Sequence, residues 1–239
     1  MNLEFLSRQG YKVSMRRIGK SIVCACMALF FSSGVFAQGG SCGELRSSGQ
    51  YGPYDFRKDH DKLPIVLGAH FTPEVETLIR GKSSTIGGDI DYTLRAIPNY
   101  HRALIAMMRL AEKEKKLQPN GSRYTIECWF ERAIVFTPDD AIVRMIYSTY
   151  LSSKGRIPDA NAQLDTAIGY AKDNPFTHYT IGLHYFDIKN YEKALSQAHK
   201  AIALGFSQNE LKDLLRAAGK WSDPIDLPVP AASAPSDSN

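Results

Sequence analysis

Cysteine and tryptophan are scarce in this chain, four and two among 239 residues. Two of the cysteines, Cys24 and Cys26, fall in an N-terminal apolar run, and beyond it no Cys-x-x-Cys occurs, which excludes dithiol redox chemistry of that kind. A Gly-x-Ser-x-Gly elbow is also missing, and with it the hydrolase nucleophile that such a turn presents. The six histidines (His60, His70, His101, His178, His184, His199) have no metal-ligand spacing. Asp59-His60-Asp61 and Asp89-Ile90-Asp91 lack the further spaced ligands that a cation site needs. Gly81-Lys82-Ser83 imitates the end of a phosphate loop, but Glu76 stands where the first glycine is required and a helical pattern precedes it instead of a strand. Catalysis, metal and cofactor are therefore not expected.

Charge of one sign is lacking too, once the leader is set aside. Of 29 basic and 25 acidic residues, five (Arg8, Lys12, Arg16, Arg17, Lys20) and one (Glu4) lie in residues 1–37, leaving 24 of each and no net charge. The formal +4 belongs to the leader, so a global field for nucleic acid is excluded. No run is long enough to span a bilayer, which takes about 20 apolar residues. The longest, residues 21–36, is softened by Ser32, Ser33 and Gly34. It follows a basic stretch at residues 15–20 and ends in Val35-Phe36-Ala37, which predicts a signal peptide over 1–37 with cleavage after Ala37. Export, most simply to a periplasm, is the expectation, with no stable membrane insertion after cleavage. An uncleaved, anchored form is the competing one.

What is present is a helical pattern from Asn99 onward. The segment 38–98 reads as loop-rich, with one short helix opened by Thr72-Pro73 and a return to loop over 82–98 apart from a helical turn near residues 91–96. Cys42 and Cys128, the pair that survives processing, are expected to form a disulfide in an oxidising compartment. Apolar stripes then recur: Leu104, Met107, Met108 and Ala111; Ile126, Phe130, Ala133 and Ile134; Ala160, Leu164, Ala167 and Ala171; Tyr191, Ala194, Ala198 and Ala201. Thr137-Pro138 is expected to open the second unit, and a last helix with Leu211, Leu214 and Leu215 follows residues 207–210, a capping-box pattern. Residues 222–239, rich in Pro, Ala, Ser and Asp, read as a disordered tail.

Several of these positions repeat at a spacing of 34: Ser148 and Gly182, Leu151 and Tyr185, Ile157 and Tyr191, Ala160 and Ala194, Ala167 and Ala201. Small residues stand where helices cross and bulky ones where a core must be filled. On these residues the chain resembles the tetratricopeptide repeat family, most clearly over 175–206, less over 139–174 and weakly over 99–138. It departs from the family pattern at His178, Ala198 and Phe206. The resemblance implies an all-α superhelix of about three helical hairpins with a C-terminal capping helix, preceded by a non-repeat N-terminal segment over 38–98.

The same resemblance implies an inner wall formed by the first helix of each hairpin. Arg102, Ile105 and Arg109 would come from the first unit, Met145 and Thr149 from the second, and Tyr179, Leu183 and Phe186 from the third. Such a wall suits an extended or helical peptide, here a protein or peptide of the cell envelope. A second candidate surface is the aromatic turn carrying Tyr51, Tyr54 and Phe56, which competes with a plain role as an end cap. The function expected is an exported interaction scaffold. The alternative is an enzyme or small-ligand-binding protein with its site in 38–98 and the repeats as docking platform.

Overall fold

A computed structural model describes residues 42–45 and 51–224; the leader expected over 1–37 and all of the expected tail beyond residue 224 lie outside the described residues. Among the described residues the chain is all-α, with ten helices and no strand. The clearest are two hairpins. Helix α6 (Ala141–Ser153) pairs with α7 (Ile157–Ala171), and α8 (Pro175–Asp187) with α9 (Tyr191–Ala203), each through a three-residue turn. So short a turn forces the two helices to run antiparallel.

The register repeats. Helix α8 begins 34 residues after α6 (Ala141 to Pro175), and α9 34 after α7 (Ile157 to Tyr191). Their caps repeat as well: Asp140 accepts from the N–H groups of Ile142 and Val143, and Asn174 from that of Thr177. The expected cap at Thr137 is thus corrected to Asp140, a carboxylate near the positive end of the α6 dipole. Both hairpin turns place a residue at positive φ, Gly155 (74°) and Lys189 (63°). Small side chains line the crossings: Ala160, Ala167, Ala194 and Ala201 are buried, and a Cβ on Gly182 would lie 2.5 Å from Leu211 Cδ2 and 3.4 Å from Ala194 O.

Helix α10 (Glu210–Ala217) closes the series by burying Leu211 and Leu215 against α8 and α9. It begins at Glu210 behind Asn209, with no side-chain cap bond, so the expected capping box does not form.

The N-terminal half corrects the expectation of a loop-rich segment. Three helices occupy it: α1 (Leu63–His70), α2 (Pro73–Glu76) and α3 (Ile86–Ala96). Helix α3 runs through Gly87-Gly88-Asp89, where loop was expected. Thr85 caps it by accepting from Gly88 N at 3.1 Å. Gly87 must be small because a Cβ there would collide with Asn120 O, in the crossing loop between α4 (His101–Glu114) and α5 (Ile126–Phe136). That connection of eleven residues leaves α4 and α5 less closely paired than the later hairpins.

Candidate functional site

Each of α4, α6 and α8 packs on the next of that set, and α8 on α10; α5, α7 and α9 each pack on the helix that follows. The side-by-side set α4, α6, α8 carries all eight residues expected on an inner wall, and the structure divides them. Met145 and Tyr179 are 2% and 5% exposed, so they belong to the core and not to an open face. Tyr179 also donates to Glu210 Oε2 at 3.2 Å, tying α8 to α10. Ile105, Arg109, Thr149, Leu183 and Phe186 are partly exposed. Arg102 is exposed but engaged: its guanidinium pairs in a bidentate fork with Glu76 of α2, with Nε 2.6 Å from Oε1. A ring-to-ring contact at 5.3 Å joins Phe186 to Tyr191.

Two titrating groups lie on α8 beside Leu183 and Phe186. His184 Nδ1 is 3.3 Å from Thr149 Oγ1 of α6, and burial pushes its imidazole down to about 4. Asp187 is open to solvent yet hemmed in by protein; burial and then the Glu210 carboxylate push its carboxyl up to about 6.

The aromatic turn is anchored to the helices beneath it, with Tyr54 and Phe56 partly exposed. Tyr54 N donates to Ala96 O at 2.8 Å, and Phe56 packs edge-on against Tyr100 and His101 with centroids 5.7 and 4.6 Å apart. Only Tyr51 stands out, half exposed. Beneath the turn runs a buried polar network that no spacing in the sequence announces. Arg57 forks onto Asp55 at 3.0 and 2.8 Å, and Asn99, fully buried, donates to Asp55 Oδ1 at 2.7 Å and to Asp140 Oδ2 at 3.3 Å. His101 Nε2 lies 3.0 Å from both Asp140 oxygens. Burial alone pushes the Asp55 carboxyl up; the Arg57 and Asn99 hydrogen bonds outweigh it and hold it well below the usual carboxylate range. The network joins the 55–59 turn to the starts of α4 and α6, so its arrangement is one of positioning.

Of the acidic pairs weighed for a cation, Asp89 and Asp91 are likewise spoken for. Asp89, fully buried, takes the backbone N–H groups of Lys82, Ser83 and Ser84 on Oδ2 at 2.6, 3.1 and 3.2 Å, while His70 Nδ1 is 2.9 Å from Oδ1. Asp91 accepts from Arg95 Nε at 2.9 Å and Arg123 N at 2.7 Å. The loop that imitates a phosphate loop does bind an anion: its own downstream carboxylate.

The expected disulfide joins Cys42 to Cys128 of α5. Beside it Arg132, also on α5, donates from one nitrogen to the carbonyls of Cys42, Gly43 and Glu44 at 2.8, 3.1 and 2.9 Å. Its guanidinium lies 4.6 Å from the Tyr124 ring centroid and 5.7 Å from that of Trp129. Burial pushes the Arg132 cation's pKa down, in keeping with a site that supplies carbonyls and rings. Comparison of the chain with protein-family models, curated proteins and solved structures finds no match.

Proposed function

We propose that the protein is an exported interaction scaffold of the tetratricopeptide type, which holds a protein or peptide of the cell envelope along the face of α4, α6 and α8. The observation that supports this reading is the periodic packing. First helices stack on first helices, second helices on the next first helix, and the two later hairpins share a 34-residue register down to their caps. Stacked hairpins of this kind form a curved superhelix and leave the first helices lining one side. On that side Ile105, Thr149, Leu183 and Phe186 are partly open. Half-buried apolar and aromatic side chains on a rigid element anchor a peptide at low entropic cost. Export follows from the leader, and protein sequencing of the mature form starting at Gln38 tests it.

The test of the face uses full-length protein as bait against envelope extracts, wild type beside Leu183→Asp, Phe186→Ala and an outer-surface control, Glu192→Ala. Partner recovery falls about tenfold or more for the first two and stays constant for the control. Equal recovery with all four proteins rules out this face.

A further inference from the structure

The structure assigns a second, conditional site to the disulfide corner: we infer that, in the dithiol state, Cys42, Cys128 and Glu131 chelate one thiophilic divalent cation such as Zn2+. The three donor atoms (both Sγ and one Glu131 oxygen) already lie within 4.8 Å of one another, and Glu131 Oε2 is 2.9 Å from Cys42 Sγ. Cys128 and Glu131 are one turn apart on α5, so a single rigid helix face presents two of the ligands. A tetrahedral zinc with sulfur at about 2.3 Å and oxygen at about 2.0 Å needs donors about 3–4 Å apart, a modest opening from the present positions. Two sulfurs and one carboxylate leave the fourth position for water.

The third ligand stays in place without the S–S bond, and this carries the proposal. Arg132 holds the carbonyls of residues 42–44 through three hydrogen bonds of its own, and Gly43 takes a positive φ of 68° against Tyr124. Cutting the disulfide therefore leaves Cys42 docked beside α5. Arg156 is engaged by Glu127 at 2.7 Å, and Arg132 spends its near nitrogen on the carbonyls of residues 42–44, so neither cation takes the Glu131 carboxylate from the sulfurs. The chemistry balances with a phosphine as reductant. The phosphine takes up oxygen from water as it becomes a phosphine oxide, the S–S bond breaks to two thiols, and Zn2+ displaces their protons to solvent.

The experiment uses the full chain carrying Cys24→Ser and Cys26→Ser, which removes the two leader thiols. Zinc is titrated against a chromogenic chelator before and after phosphine reduction, and Co2+ is substituted for its sulfur charge-transfer absorption. The expected result is one metal per chain only after reduction, with thiolate-to-cobalt bands. Affinity should be lost in Cys128→Ser and weakened about tenfold or more in Glu131→Gln, a change at an exposed side chain that leaves the fold intact. Circular dichroism follows helix content throughout. The proposal is overturned if reduced protein binds zinc no better than Cys128→Ser, if Glu131→Gln binds as tightly as its parent, or if reduction alone melts the helices.

Discussion

His184 and Asp187, one turn apart on α8, pull stability in opposite directions as pH falls. The His184 imidazole is pushed down to about 4 from an ordinary 6.5, so the unfolded chain takes up its proton first. Its contribution is whole above pH 6.5 and is lost as pH falls toward 4. Asp187, pushed up to about 6, does the reverse: its charge destabilises the fold at neutral pH, and protonation relieves that below about 6. Melting temperatures at pH 7.5 and 4.5 check both. His184→Gln should lose less stability than wild type on acidification, and Asp187→Asn should be the more stable at pH 7.5 with most of its advantage lost at 4.5. Neither shift was legible in the sequence, because each depends on which neighbouring helix the residue faces.

At the scale of the helix, the hairpins were readable and the N-terminal helices were not, for a physical reason. Alanines at 160, 167, 194 and 201 report a close crossing because only small side chains fit there, whatever surrounds them. Helix α1 gives no such report: Pro64 and Gly68 break the pattern, and Ile65 points outward. Helix α3 carries two glycines in its first turn, Gly87 small for Asn120 of the crossing loop and Gly88 for Ser84 and Thr85 at its own start, so the usual reading of such a pair as loop misleads. Within the hairpins, Met145 and Tyr179 were placed on an open wall because wall and crossing positions adjoin on a helical wheel, and only tertiary packing separates them. Gly182 offers the sharpest test. Gly182→Leu should cost about 1–3 kcal/mol by overpacking against Leu211 and Gln197, measured by urea unfolding. Adding Leu211→Ala should recover part of that loss; additive costs would place the strain elsewhere.

For the molecule as a whole, the buried network under residues 55–57 decides whether the N-terminal half stays fixed to the hairpins. Asp140 serves both sides, capping α6 while taking Asn99 and His101. Asp140→Asn keeps the shape but removes the charge facing Arg57, whose Nε is 3.7 Å away. A loss of about 3 kcal/mol in urea unfolding is expected, against almost none if the residue acted as a helix cap alone, because asparagine caps a helix as well as aspartate does. The five residues involved are scattered from 55 to 140, so no local pattern marks them; the fold alone brings them together. The Asp89 cradle carries a consequence of a different order. A nucleotide approaching the 81–84 loop meets donors already taken by a carboxylate tethered a few residues away, whose effective concentration exceeds that of a free anion. The loop is thereby self-occupied, and ATP-affinity enrichment should pass this protein by despite its Gly-Lys-Ser.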